Sequence, residues 1–241
     1  MKKTGLLFIF SLLLASGFAQ KTTTINDENA QKRNVSGFTS IEVSDGVDVY
    51  ITQSDEESVV VSANKTEYRD KIQTKVEKGV LKIYFGDDKG FTIGWRDRKL
   101  RAYISIKSLE NLHAGGGSDI IIKGTITSDK LSLDLSGGSD FVGDVKSAQL
   151  TVGISGGSDV KVSGAATNLK VNASGGSDFS GNDMKSEYAI VEVSGGSDAT
   201  LSVSKELYAE ASGGSDIHYS GNPVIKHKSS SGGGSVTKRG K

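Results

Sequence analysis

Ser136-Gly137-Gly138-Ser139-Asp140 is one copy of a motif that recurs through the second half of the 241-residue chain. A seventh, altered copy covers residues 231–236. Self-similarity at a fixed period of about 20 residues is typical of a solenoid, in which each repeat buries its apolar face by stacking on its neighbours. The motif therefore marks one structural position that the chain occupies once per coil. Its Asp falls at six positions, separated by 21, 19, 19, 20 and 18 residues: Asp119, Asp140, Asp159, Asp178, Asp198 and Asp216.

Apolar residues alternate with polar ones on both sides of the motif. In five successive copies, the positions nine, seven and five residues before the Asp are apolar. In most copies, the positions one and three residues after the Asp are apolar as well. Around Asp159 these residues are Leu150, Val152, Ile154, Val160 and Val162. A spacing of two is the period of a β-strand whose alternate side chains face one core. Each coil is therefore predicted to hold at least two short strands joined by the motif.

These patterns predict an all-β fold, a right-handed parallel β-helix with short coils of about 20 residues. The hand follows from the usual chirality of parallel crossovers. A leucine-rich repeat has a similar length, but the chain lacks the helical segment and the fixed Asn or Cys of that repeat. Paired glycines suit a sharp corner that needs positive φ and is stacked on its own copies. The predicted structural corners are Gly137, Gly138, Gly156, Gly157, Gly175, Gly176, Gly195, Gly196, Gly213 and Gly214.

The chain divides into four predicted parts. Residues 1–19 are predicted to be a signal peptide, because a basic start precedes a short apolar run and small residues. Residues 20–34 are predicted to be a flexible leader, and residues 35–225 a single β-helix domain with regular repeats from about residue 110. Residues 226–241 are predicted to be a basic tail or a decayed last coil. The signal peptide predicts an exported protein, in the periplasm, on the cell surface or secreted.

The N-terminal half of the domain shows the same strand-like alternation with less regular corners. The segment Ser44-Asp45-Gly46-Val47-Asp48 is interpreted as an early, imperfect corner, and residues 67–71 as one helical turn. We therefore expect irregular opening coils of the same domain.

Composition excludes several classes of function. The chain has no cysteine, which excludes disulfides, thiolate metal sites and cysteine nucleophiles. Its formal net charge is zero, which argues against nucleic acid and against an anionic membrane surface as partners. The three histidines lack the spacing of metal ligands, and no nucleophile elbow or phosphate-binding loop is present. The sequence therefore predicts no catalytic residues.

The predicted signal peptide, the segment Val-Ser-Asp-Gly-Val-Asp-Val at residues 43–49, the strand at residues 79–83 and the serial Gly-Gly-Ser-Asp corners occur together. In these features the chain resembles the bacterial head GIN domain family, described as auto-transporter adhesins. The resemblance covers roughly residues 35–225. It implies a right-handed β-helix and an exported location, and it brings no catalytic residues.

The six repeated Asp residues are the first candidate site. Stacked coils would hold neighbouring carboxylates about 5 Å apart, where they repel by roughly 1 kcal/mol per pair even in water. One interpretation is that each Asp accepts hydrogen bonds from the Ser hydroxyl and the corner N–H groups. A second is that neighbouring carboxylates bind Ca²⁺, the only cofactor considered. A third is that this polar face meets glycan hydroxyls or a protein partner.

The irregular stretch at residues 86–99 is the second candidate site. Phe91, Trp95, Arg96 and Arg98 are predicted to form an aromatic platform with cationic neighbours, suited to stacking on sugars or anchoring a protein. The alternative is a hairpin that folds down to cover an open end of the coils.

These observations favour an exported, non-enzymatic β-helix that acts as an adhesin or cell-envelope binding module for glycan or protein. One alternative is a carbohydrate-active enzyme that uses paired carboxylates. Against it, identical repetition of the Asp marks a structural position rather than a catalytic one. The other alternative is a purely structural envelope protein.

Overall fold

The computed structural model describes residue 27, residues 29–86 and residues 98–240. The predicted signal peptide and residues 20–26 and 28 of the predicted leader lie outside these residues. Residues 31–33 of that leader form a paired strand, so the prediction of a flexible segment is wrong there. Over the described part, the chain forms sixteen strands and one short helix: β1 (Gln31–Arg33), β2 (Ser40–Val43), β3 (Asp48–Gln53), β4 (Ser58–Ser62), α1 (Thr66–Arg69), β5 (Ile72–Glu77), β6 (Val80–Phe85), β7 (Arg101–Ile106), β8 (Asn111–Ala114), β9 (Ile120–Leu135), β10 (Asp140–Ile154), β11 (Asp159–Ala173), β12 (Asp178–Val193), β13 (Asp198–Ala211), β14 (Asp216–Ser220), β15 (Val224–Ser230) and β16 (Ser235–Lys238).

The regular half is a stack of parallel strands in register. The strands β9 to β13 follow one another in space as they do in sequence, and each pairs in parallel with the next. The Asp of one motif is paired with the Asp of the next, as in Asp140 with Asp159 and Asp159 with Asp178. Coils of about 19 residues stack in this way into about seven turns. The predicted parallel β-solenoid is confirmed.

The core runs through the middle of the stack. All fifteen residues at the three apolar positions before the motif, from Leu131 to Ala211, are at most 4% exposed. The apolar residues after the motif, such as Val160 and Val162, are buried too. The period of two in the sequence therefore identifies the inward side of every regular coil.

The corners adopt two related conformations. Both glycines have positive φ in the early corners, as at Gly156 (67°) and Gly157 (78°), whereas only the first glycine does from Gly175 onward. In the later corners, the N–H of the second glycine donates to the carbonyl of the first glycine one coil earlier, as from Gly196 to Gly175 at 2.7 Å. The positive φ expected of a sharp corner therefore occurs at the first glycine of these corners and not at the second, which is Gly176, Gly196 or Gly214.

The opening coils are not stacked in chain order. Strand β2 lies between β6 and β8, and β3 lies between β7 and β9, with all four pairings parallel. The coil formed by β2 and β3 is therefore the second in space although it is the first in sequence. The predicted early corner at residues 44–48 stacks on the next one, because Gly46 lies close to the backbone of Gly116 and Gly117.

Antiparallel strands close the N-terminal end of the stack. Strand β5 pairs with β6, β4 pairs with β7, and β1 pairs with β4, each in antiparallel orientation. The helix α1 joins β4 to β5 close to the predicted helical turn. The outer edges of β6 and β7 are paired in this way, and β5 and β1 become the edge strands at this end.

The C-terminal end is a last coil with polar residues at core positions. Strand β15 pairs with β13, and β16 pairs with β14. Ser235, rather than Val236, takes the place of the Asp, because it pairs with Asp216. Lys228 stands at the inward position that Ala209 occupies one coil earlier. A charge that points inward at an edge opposes the addition of further strands.

Candidate functional site

The repeated Asp residues form one column on the surface of the stack. From Asp140 to Asp198, each carboxylate accepts a hydrogen bond from the backbone N–H of the Asp in the next coil, as in Asp178 N–H to Asp159 Oδ1 at 3.1 Å and Asp216 N–H to Asp198 Oδ1 at 3.0 Å. Asp48 of β3 extends the column at one end, and the Ser235 hydroxyl donates to Asp216 Oδ1 at the other. The structure therefore brings all six predicted Asp residues together.

The second Ser of each motif lies inside the corner rather than beside the Asp. The Ser at this position is fully buried in all six copies. The N–H of Ser139 donates to Ser158 Oγ at 3.0 Å, and the N–H of Ser177 donates to Ser197 Oγ at 3.2 Å. A column of buried serines thus runs parallel to the column of exposed carboxylates. The hydrogen bonds that the Asp carboxylates accept come from the next coil.

The first two carboxyls of the Asp column, Asp48 and Asp119, have raised pKa values. Burial raises the pKa of the Asp48 carboxyl, the Asp119 carboxylate raises it further, and the Asp119 N–H and Arg101 oppose the shift. Burial and the Asp140 carboxylate likewise raise the pKa of Asp119. Across residues 29–86 and 98–240, no group of three or more acidic or histidine side chains is arranged to hold a metal ion. Calcium binding by the column stays a prediction.

The predicted aromatic platform is only partly visible. Phe91, Trp95 and Arg96 lie outside the described residues. Arg98 is 8% exposed, and its guanidinium carbon lies 4.5 Å from the ring centroid of Phe85 and 5.5 Å from that of Tyr68. Arg98 therefore packs against β6 and α1.

A groove that the sequence interpretation did not predict runs along the outer face of β10, β11, β12, β13 and β15. Its cavity volume is about 360 Å³. We name it the tyrosine groove. Its floor is the backbone at the inward-facing residues Leu150, Leu169, Ala189 and Leu207. Its walls are two rows of outward residues, Gln149, Asn168, Tyr188 and Glu206 on one side and Thr151, Lys170, Ile190 and Tyr208 on the other, with Lys226 at the end.

Aromatic and apolar side chains concentrate at the C-terminal end of the tyrosine groove. Tyr188 is 37% exposed and Ile190 is 45% exposed. The ring of Tyr208 stacks on that of His227, with centroids 4.5 Å apart. The Tyr208 hydroxyl donates a hydrogen bond to Glu210, which raises the pKa of Tyr208. These contacts hold the Tyr208 ring against its neighbour beside the groove.

A second, polar groove runs beside the first and has a volume of about 510 Å³. We name it the serine groove. Lys170 lines both grooves. Carboxylates, hydroxyls and an amide make up its outward side chains: Asn172, Ser174, Glu192, Ser194, Glu210, Ser212, Ser229 and Ser231. The two grooves together place apolar rings next to hydrogen-bonding groups on one face.

The repeat pattern in the sequence identifies the inward residues, because these are alike in every coil. The outward residues that line the grooves differ from coil to coil, so the sequence did not predict the grooves. One signal was present in the sequence. Tyr188, Ile190 and Tyr208 are large residues at outward positions, eight or ten residues before an Asp. Large apolar residues at outward positions of a strand indicate a surface with a function.

Comparisons with known proteins agree with the fold. A model of the family described as "putative auto-transporter adhesin, head GIN domain" matches residues 37–223. The solved structure of a putative adhesin from Bacteroides fragilis NCTC 9343 is similar with a TM-score of 0.80 at 21% identity, over 87% of this chain and 96% of that chain. A putative lipid binding protein from Parabacteroides distasonis ATCC 8503 has a TM-score of 0.66 at 21% identity, over 88% and 96%. A putative adhesin from Parabacteroides merdae ATCC 43184 has a TM-score of 0.67 at 16% identity, over 88% and 95%.

No curated protein sequence matches the chain. At these levels of identity, the solved structures show a shared fold. Within the described part of the chain, no helix has the length and apolar character needed to cross a membrane.

Proposed function

The chain belongs to the head GIN domain family of adhesin-like β-helix proteins, and from this premise we propose that it is an exported, non-enzymatic adhesin that binds glycan in the tyrosine groove. The observation that carries the proposal is the groove itself. It combines the exposed Tyr188 ring and the half-buried Tyr208 ring with amide, ammonium and carboxylate groups on one face of the sheet. The signal peptide predicted at residues 1–19 supports export.

The chemistry of the groove suits a sugar. A pyranose ring has faces rich in C–H groups and a rim of hydroxyls. Tyr188 and Tyr208 offer flat apolar surfaces of low conformational entropy for such faces. Gln149, Asn168 and Lys170 lie within the same groove and can bond the hydroxyl rim. A few polar groups in an otherwise apolar cleft are the usual arrangement of a site for a small ligand.

A second candidate function rests on one observation in the serine groove. Glu192 and Glu210 pair in register on neighbouring strands, so their carboxylates project from the same face about 5 Å apart at the backbone. A retaining glycosidase uses two carboxyl groups about 5–5.5 Å apart, which side chains on neighbouring strands can reach. Glu210 already accepts a hydrogen bond from Tyr208 and lies 3.0 Å from His227 Nε2, which favours a structural role.

Binding of the full-length mature chain to a glycan array tests the proposal. We expect the wild-type protein to bind a subset of the glycans. Tyr208→Ala should weaken that binding about tenfold, since a central aromatic anchor contributes more than 1 kcal/mol. Tyr84→Ala is the matched control, because Tyr84 lies on β6 at the opposite end of the stack. Tyr208→Ala binding with wild-type affinity would refute the role of the groove.

Two further measurements complete the test. Incubation of the bound polysaccharides with the protein should release no shorter oligosaccharides. Release that is lost in both Glu192→Gln and Glu210→Gln would establish the glycosidase instead. Cell fractionation of the native host should recover the protein outside the cytoplasm, without residues 1–19.

A further inference from the structure

The tyrosine groove is long in one direction and narrow in the other. Its wall residues occupy the same two outward positions in four consecutive coils, from β10 to β13, and Lys226 of β15 lies at the end of the groove. Coils stack about 4.8 Å apart, so the groove extends about 19 Å along the axis of the solenoid. The two rows that form its walls are two residues apart on each strand, which corresponds to about 7 Å. A ligand that fills the groove must therefore lie along the axis.

The floor of the groove repeats once per coil. It presents equivalent backbone at Leu150, Leu169 and Ala189, which are paired residue for residue in the parallel register. A ligand that contacts equivalent surface on every coil must consist of repeating units whose length is close to the spacing between coils. A sugar ring and its glycosidic linkage, in an extended chain, have a length close to the spacing of the coils. A branch would meet the walls at Asn168 or Lys170.

We propose, on the basis of the function proposed above, that the ligand is an unbranched polysaccharide that lies along the solenoid axis with one sugar unit per coil. The walls differ along the groove. Tyr188, Ile190 and Tyr208 form the end near β13, and Gln149 and Thr151 form the polar end at β10. The aromatic end anchors the chain, and the polar end bonds the hydroxyls of units further along.

The polar end is positioned by the fold. Asn168 Nδ2 donates to the carbonyl of Ala148 on the neighbouring coil at 3.3 Å, which holds the amide across the groove. Thr151 is exposed on β10, two coils away from Ile190 along the same row. A large side chain at Thr151 would therefore block the far end of the groove and leave the aromatic end open.

Calorimetry with oligosaccharides of increasing length tests the inference. The probes are β-1,4-linked and α-1,4-linked glucose oligomers and β-1,4-linked N-acetylglucosamine oligomers, from disaccharide to hexasaccharide. For the series that binds, we expect the affinity to rise at least about tenfold from disaccharide to pentasaccharide, equivalent to about 1.4 kcal/mol. The hexasaccharide should add little, because the five coils are then occupied.

Variants at the two ends of the groove separate its parts. Tyr208→Ala should weaken every oligomer. Thr151→Arg should weaken the pentasaccharide and leave the disaccharide unchanged. Ser180→Arg is the control, because Ser180 is exposed on β12 after the Asp column, away from the groove.

Each remaining outcome contradicts the inference in a distinct way. Equal affinity for disaccharide and hexasaccharide would refute the axial ligand while the proposed glycan binding survives. Binding of branched glycans on the array without binding of any linear oligomer would refute it as well. Absence of all binding, on the array and in calorimetry, would refute both the axial ligand and the proposed function.

Discussion

Alanine substitutions at three corner glycines distinguish two requirements of a stacked corner: a φ in the left-handed region, and space between the glycine and the backbone of the neighbouring coil. Gly196 has a φ outside the left-handed region, and an added Cβ would lie 3.7 Å from its nearest atom, the Gly175 carbonyl oxygen. Gly157 has a φ of 78°, and its added Cβ would meet nothing within 4 Å. Gly195 has a φ of 81°, and its added Cβ would lie 2.7 Å from the same Gly175 oxygen.

The expected free energies of unfolding follow from these differences. Gly196→Ala should leave the free energy of unfolding unchanged or raise it by up to about 1 kcal/mol, because Ala lowers the conformational entropy of the unfolded chain. Gly157→Ala should lose about 1 kcal/mol, since a left-handed residue with a Cβ costs roughly 1–2 kcal/mol and the unfolded-state gain offsets part of it. Gly195→Ala should lose about 2–4 kcal/mol, because overlap with a backbone atom adds to the strain.

Urea denaturation followed by far-ultraviolet circular dichroism measures the three variants against wild type. In a chain of this length, 1 kcal/mol corresponds to a shift of about 2–4 °C in a parallel thermal melt. We expect the free energy of unfolding to be highest for Gly196→Ala, lower for Gly157→Ala and lowest for Gly195→Ala. Equal losses in all three would show that neither the stacking contact nor the φ angle governs these corners.

The other predictions concern charge and the last coil. Folding raises the pKa of the Asp119 carboxyl above its ordinary value of 3.8. Protonation of this carboxyl therefore stabilises the folded protein below about pH 4, and this stabilisation is lost as the pH rises through the folded pKa. Asp119→Asn keeps an acceptor for the Asp140 N–H and should raise the melting temperature at pH 7 but not at pH 3. An equal rise at both pH values would show that the negative charge of Asp119 is not what destabilises the column. Calcium or a chelator should leave the melting temperature unchanged, because the carboxylates from Asp140 to Asp198 already accept an N–H from the next coil. A clear rise with Ca²⁺ would establish the cation site instead. Lys228→Val should promote end-to-end association, visible by light scattering, whereas Lys161→Val on an interior coil should not. If Lys228→Val stays monomeric, the charge of Lys228 is not what prevents other strands from pairing with the C-terminal edge.

The sequence predicted the regular half of the fold because one motif repeats with its environment. Each Gly-Gly-Ser-Asp corner is flanked by the same inward pattern, so the strands, the core and the column of carboxylates follow from a single copy. The Asp column was predicted as a set, but its hydrogen bonds were not, because they join Asp residues of different coils. The position of Ser158 inside the corner depends on the same stacking.

The opening coils and the grooves required the structure. Whether β2 pairs with β6 or with β8 depends on contacts between distant segments that carry no common motif, so the order of the coils could not be read from local periodicity. The tyrosine groove depends on which outward residues become neighbours across five coils. Tyr188 and Tyr208 are 20 residues apart in sequence, and they line the same groove because the register of β12 and β13 is fixed.

A crystal structure of the protein with a bound linear pentasaccharide would show where a glycan chain lies on the solenoid. We expect electron density for sugar rings along the outer face of β10 to β13, in contact with Tyr188 and Tyr208 and parallel to the solenoid axis. Sugar density on the Asp column, or at the N-terminal end beside Arg98, with an empty tyrosine groove would contradict it.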